Sequence, residues 1–151
     1  MRILCLDYGE KRIGVAVSDE LGMTAQAFTL IIRKGLKRDM EEIRRIIKTS
    51  GAEKIVLGYP LRLDGTAGIQ CRKVDRFIRV LEKQIPLPVD RWDEGLSTQE
   101  AEEILTEASV KGKRRKAIVD KIAAGIILQD YLNHMEREKD LLTEGEDLSC
   151  L

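Results

Sequence analysis

Three carboxylates define what this chain could do chemically: Asp7, Glu94 and Asp120. Asp7 closes the apolar run Ile3-Leu4-Cys5-Leu6 and stands just before the turn Tyr8-Gly9, where a sheet interior gives way to solvent. Glu94 follows a second strand-like run, residues 87–93, ahead of a capping box made by Ser97 and Glu100. With regular alternation Trp92 and Glu94 share one face, and Asp93 shares the other with Arg91 and Val89. Glu94 is therefore the acid for a site, and Asp93 caps the helix or pairs with Arg91. Asp120 has Ala117, Ala123, Ala124, Ile127 and Tyr131 as helical neighbours, a face of small and apolar residues that should press on a sheet. A charge buried there needs a cation or strong hydrogen bonds. Three oxygen donors, in a chain with one His and no CxxC pair, suit Mg²⁺ or Mn²⁺ better than zinc. Two such ions about 4 Å apart would activate water and stabilise the leaving oxygen in phosphodiester hydrolysis. Asp7, Glu94 and Asp120 are thus the candidate catalytic and metal-ligating residues.

Plainer readings stand beside these. Asp7 could cap the amides of an ordinary turn, and Asp120, near a helix start, could face solvent or complement the helix dipole. Gly9 can take positive φ and admit a ligand close to the backbone, while Arg12 sets a fixed positive charge nearby. Residues 111–116 read KGKRRK, so Lys113, Arg114 and Arg115 are candidates to hold a nucleic-acid backbone, although such a run also suits a solvated loop. Arg62 lies in GYPLRLDGT, residues 58–66, expected at the end of a parallel strand and ahead of a helix, where α/β sheets bind phosphate. Pro60, Asp64 and Gly65 are equally ordinary turn residues. Tyr8, Tyr59 and Trp92 fall near the same place and could stack on a splayed base, with core packing the simpler use of Trp92.

These residues must be held by a recognisable set of elements. Strands are expected over residues 3–7, 13–18 and about 24–32, joined by short connections as an antiparallel meander. Met40, Ile43, Ile46 and Ile47 recur at helical spacing within 37–49. A buried strand at 54–58 follows, then an amphipathic helix carrying Val74, Phe77, Ile78 and Leu81, which Pro86 and Pro88 end. After the strand at 87–93 and the helix capped by Ser97, the basic loop leads into a last helix over about 115–136. Antiparallel strands first and alternating helices and strands afterwards predict an α/β mixed sheet flanked by helices.

At 151 residues the chain suits one domain, with no room for a second catalytic one. The division expected is a domain over residues 1–138 and an acidic, flexible tail over 139–151. Net charge is zero, but from Glu136 onward six acids face two bases, so the tail is −4 and the body +4. Three cysteines without CxxC spacing argue against a disulfide framework or structural zinc and for reduced thiols in a cytoplasmic protein. Neither a leader nor an apolar run of membrane-spanning length is evident, so no membrane partner is expected.

The segments DYGEKRIGVAVSD, GYPLRLDGT, DEGLST and KAIVDKIAAGIILQDYL, in this order and spacing, resemble the YqgF/RuvX family of RNase H-like bacterial nucleases, also described as Holliday junction resolvases. The likeness runs over about residues 1–135. It implies an RNase H-like fold and a metal-dependent nuclease, with Asp7, Glu94 and Asp120 at the family's acidic positions and a role in maturing the 5′ end of precursor 16S rRNA. Structured RNA, in pre-ribosomal particles, is then the expected partner, ahead of branched DNA. One departure stands out: where the family has Asp-Glu-Arg, this chain has Asp93-Glu94-Gly95, and Arg12, Arg62 or the KGKRRK segment are the candidates to supply the missing guanidinium. Junction resolution on DNA and nucleic-acid binding without strong catalysis are the alternative functions. An ATP-dependent phosphotransferase, which can also start with a DxG hairpin, would need a second domain.

Overall fold

Residues 3–6 are apolar on both sides, so the strand they open needs cover above and below. The computed structural model, which describes residues 1–59, 69–93 and 113–149, supplies it. Strands β1 (Ile3–Tyr8), β2 (Arg12–Ser18), β3 (Ala25–Ile32), β4 (Lys54–Tyr59) and β5 (Val89–Asp93) form one sheet in the order β3-β2-β1-β4-β5. β1 pairs antiparallel with β2 and parallel with β4, and β4 pairs parallel with β5. The mixed sheet expected from the sequence is therefore present, with β1 at its centre.

Helices α1 (Leu36–Ser50) and α2 (Ile69–Gln84) cover one face, and α3 (Lys113–Ser149) covers the other. Alternation along β1 sends Leu4 and Leu6 into the α1/α2 core with Ile13, Ile43, Leu57, Phe77 and Leu81. Ile3 and Cys5 enter the α3 core with Ala16, Val56, Ala124, Ile127 and Tyr131. Each fully buried Leu, Ile or Phe contributes about 1.5–3 kcal/mol relative to exposure, so the larger α1/α2 core carries most of the fold's stability.

Local chemistry sets the ends of α1. Gly35 at φ 114° precedes it and Gly51 at φ 73° follows, its amide returning to the Ile47 carbonyl. Both are conformations that favour glycine.

Two details differ from the sequence expectation. Gly9 is not among the positive-φ glycines; a Cβ there would lie 2.5 Å from the Arg12 carbonyl oxygen, so the hairpin needs glycine for closeness and not for handedness. Lys113, Arg114 and Arg115 lie in the first turn of α3, not in a loop before it. Helical backbone continues to Ser149, through the segment expected as a loose tail, although packed residues end near Leu132 and Met135, and Leu141 and Leu142 are exposed. The helix expected after Ser97, the loop beyond Tyr59, Arg62, Glu94 and Gly95 lie outside the described residues. Cys5 and Cys71 are buried and not joined in a disulfide. Among the described residues no helix is long and apolar enough to cross a membrane.

Candidate active site

Alternation that puts Cys5 on the α3 face puts Asp7 there too, at the last turn of the ladder before the hairpin. Asp7 is half-buried and stands directly opposite Gly14 of β2. On its other side the β1–β4 register runs to Leu6 with Leu57, so the next residue of β4 is Gly58. Neither strand neighbour of this carboxylate carries a side chain of its own. Gly58 in turn pairs with Trp92 and Tyr59 with Asp93, which brings the end of β5 to the same edge. β4 separates β1 from β5, so the two strand ends stand about 10 Å apart across a glycine.

The face expected for Trp92 is observed: its ring packs against Tyr131 and His134 of α3 at centroid distances of 5.6 and 4.9 Å. Arg91 lies on the other face, over the Tyr59 ring at 5.6 Å and 3.4 Å from Asp75. β5 thus alternates as the sequence suggested up to its last residue, which immediately precedes Glu94.

Position 120 is placed by how α3 is anchored. The Lys54 ammonium donates to the Tyr131 hydroxyl at 2.5 Å, and that hydroxyl donates to Asp90 at 3.0 Å. Gln129 receives the Ala25 amide at 2.9 Å and donates to the Met23 carbonyl at 3.1 Å. Lys54, Asp90 and Ala25 all sit at the edge opposite Asp7. Counting back from Tyr131, position 120 lies three turns, about 16 Å, toward the Asp7 edge, on the stripe of Ala124, Ile127 and Tyr131. From Ile3 to Asp7 the strand covers about 13 Å, so the two rises match. Burial pushes the Tyr131 phenol up, against the opposing Lys54 ammonium and with help from Asp90. Burial of Lys54 works against its charge, but Tyr131 and Asp90 outweigh it and raise the ammonium.

The hairpin that carries Asp7 is clamped from behind by a residue the sequence reading passed over. Arg33 donates to the Tyr8 hydroxyl at 2.7 Å and to the carbonyls of Gly9 and Glu10, with its guanidinium 4.6 Å from the Tyr8 ring centroid. Its Nε meets Asp39 at 3.1 Å, and Asp39 also accepts the Lys34 amide. Glu10 pairs with Lys73, which lowers the carboxyl and raises the ammonium. Nothing in the pattern around Arg33 marked it, because the hairpin groups it holds lie more than twenty residues away in sequence.

Arg12 opens β2 two residues before Gly14, hence on the Asp7 face, and is half-buried. Tyr8, Tyr59 and Trp92 each contact protein groups already: Tyr8 packs on Phe77 at 4.9 Å, and the Tyr59 hydroxyl donates to Asp75 at 3.1 Å. Among the described residues no three His, Cys, Asp or Glu side chains gather closely enough to hold an ion, so a metal centre here depends on Glu94 and Asp120 joining Asp7.

Comparison with known proteins identifies the family and the fold. A family profile described as RuvX, Holliday junction resolvase, matches residues 1–134. A protein of Syntrophus aciditrophicus named "Putative pre-16S rRNA nuclease" is 58% identical over 139 residues, covering 92% of this chain and 93% of its own. One of the same name from Halothermothrix orenii is 50% identical, covering 91% and 98%. Among solved structures, Thermus thermophilus RuvC in complex with a Holliday junction substrate matches at TM-score 0.53 and 10% identity, covering 89% of this chain and 96% of its own. Fowlpox virus resolvase, in complex with junction DNA, matches at 0.52 and 15%, covering 89% and 99%. These two show a shared RNase H-like, resolvase-type fold.

Proposed function

Since the chain belongs to the RuvX family of Holliday junction resolvases, we propose that it is a metal-dependent nuclease that hydrolyses phosphodiester bonds of structured RNA at the Asp7 edge, in 5′-end processing of precursor 16S rRNA. The observation that supports the reading is Asp7 at a sheet edge opposite Gly14 and next to Gly58, with the end of β5 at the same edge; α3, counted back from Tyr131, carries position 120 toward it. The RNA substrate follows the names of the relatives that are 58% and 50% identical.

The residues fit a hard divalent cation. Asp7, Glu94 and Asp120 are oxygen donors, and the glycines flanking Asp7 add no side chain that would compete for an ion. Mg²⁺ or Mn²⁺, as a pair, would supply Lewis-acid activation of water and stabilisation of the leaving oxygen. The chain's own contribution is to hold those carboxylates and to seat the substrate. Arg12 lies on the Asp7 face, and Lys113, Arg114 and Arg115 occupy the first turn of α3, above the same edge. Basic residues at a helix N-terminus oppose the dipole, so a bound phosphate relieves both the repulsion and the free amides. Arg62 and Gly9 complete the proposed substrate-contacting set, Gly9 through the hairpin shape. Residues 1–138 form the catalytic unit, acting in the cytoplasm on pre-ribosomal RNA.

The family's description favours a second substrate, four-way junction DNA. Incubating the protein with a precursor 16S 5′ fragment and, in parallel, a DNA junction, each with Mg²⁺ or Mn²⁺, separates the two by product mapping. RNA cleavage that Asp7→Asn abolishes is expected. Cleavage of the junction alone moves the substrate to DNA, and binding without cleavage by either metal, in a chain with Gly95, reduces the role to an accessory one. Unchanged cleavage by Asp7→Asn sinks the assignment.

A further inference from the structure

Helix α2 carries Arg72, Arg76, Arg79 and Lys83 at steps of four, three and four residues. At 3.6 residues per turn they form one stripe, on the side opposite the buried Val74, Phe77, Ile78 and Leu81. All four are exposed, and among the described residues none of them has an ion-pair or hydrogen-bond partner. The acids of the helix lie off the stripe on one flank: Asp75 is turned to Tyr59 and Arg91, and Glu82 follows two turns later. A face made only for solubility mixes signs along its length; on α2 the acid that stands four residues ahead of a stripe base, Asp75 before Arg79, is turned away to Tyr59 and Arg91. α1, on the same side of the sheet, does mix them, with exposed Glu41 among Arg38, Arg44 and Lys48 and an ion pair between Glu42 and Arg45. On α2 like charges stand at i,i+4 twice, a repulsion that an outside polyanion would remove.

The stripe is continuous with the candidate active site. α2 follows the Asp7 edge of β4 and returns to the start of β5, so its first turns lie beside the β1–β2 hairpin. Lys73 pairs with Glu10 of that hairpin, and Phe77 packs on Tyr8. A cleft of about 500 Å³, lined by Tyr8, Arg33, Lys73 and Arg76 among others, joins hairpin to stripe. From Arg72 to Lys83 the stripe runs about 16 Å, over which one nucleic-acid strand presents about five phosphates.

We propose that the α2 stripe is a track for the phosphate backbone of the substrate's flank, so that the nucleic acid crosses the sheet edge from the catalytic α3 face onto the α1/α2 face. The proposal rests on the nuclease reading only in taking nucleic acid as the ligand. Its test is the salt dependence of binding, measured by fluorescence anisotropy with a labelled precursor 16S 5′ fragment from about 50 to 200 mM KCl. Three proteins are compared: wild type, R72Q/R76Q/R79Q/K83Q, and a K34Q/K37Q/R38Q/K48Q control that removes the same charge from exposed positions on and before α1. All are checked for unaltered thermal unfolding. The α2 variant is expected to lose more than about tenfold in affinity and to show a slope of log K against log salt shallower by about 3, at about 0.7–0.9 per phosphate contact. Its kcat at saturating RNA stays at the wild-type level, and the control keeps most of its slope. Equal losses in both variants, or none in the α2 variant, overturn the track. Binding with an α2-dependent slope but no cleavage overturns the nuclease reading alone. Failure of wild type to bind either this RNA or a DNA junction overturns both.

Discussion

On the α1/α2 face, Asp39 is 1% exposed and its charge is answered on the spot by the Arg33 guanidinium and the Lys34 amide. On the α3 face, Asp7 is half-buried at a strand end, opposite one glycine and next to another, and the acids that would join it come from β5's end and α3. The first acid ties the hairpin to α1; the second stands at the sheet edge where the proposed site lies. The basic groups divide in the same way. Arg33 is consumed by the hairpin and Asp39, whereas the four bases of the α2 stripe have no ion-pair partner among the described residues.

Exchanging the two acids for neutral residues should break this contrast most sharply. Asp7→Asn is expected to lower metal-dependent cleavage at least ~1000-fold, about 4 kcal/mol of transition-state stabilisation, with the unfolding midpoint unchanged or raised, because the proposed site would lose one of three like charges. Asp39→Ala should do the opposite, lowering stability in urea by about 3 kcal/mol through the stranded Arg33, while the folded fraction retains its kcat. A stable Asp39→Ala protein would mean that the pair is not what holds the hairpin to α1.

Gly9→Ala tests the link between the faces, because the hairpin belongs to both. The added Cβ meets the Arg12 carbonyl at 2.5 Å, and a cost of about 1–3 kcal/mol is expected together with reduced turnover, read by denaturation and by kcat on one preparation. Tyr131→Phe removes the hydroxyl that joins Lys54 to Asp90 and should cost about 1 kcal/mol without a change in KM, since it acts at the edge away from Asp7.

The smallest effect is a titration. Burial first, and then the hydrogen bond to Asp75, push the Tyr59 phenol up from 10.0 to about 12. The folded state therefore binds this proton more tightly than the unfolded one. That share of stability is fully present below pH 10 and is lost as pH rises through about 12. Phenolate absorbance should report the high midpoint, and Asp75→Asn should bring it back toward the ordinary value; an unmoved midpoint would leave burial as the whole cause.

Much of the fold was legible because its signals are local. The continuous apolar run Ile3–Leu6, the alternation in Val89–Asp93 and the helical spacing of Met40, Ile43 and Ile46 depend only on near neighbours, so the order of elements and the face of Trp92 could be read directly. Gly9 was legible as a special residue but not in its reason, because positive φ and a close backbone contact both select glycine. The boundary at Lys113 was hidden because a basic cluster reads equally as loop or first turn.

Sequence alone determined which residues could do chemistry here: the identities of Asp7, Glu94 and Asp120, the elements that carry them, and the family they resemble. Only the tertiary structure decided that β1 lies between β2 and β4, and hence that Asp7 has Gly14 and Gly58 on its flanks. The same closure turned Arg33 into a hairpin clamp and set the α2 stripe on the sheet's other side. The reason is physical: periodicity is fixed by backbone geometry over a few residues, whereas strand order and facing are fixed by which distant segments bury each other.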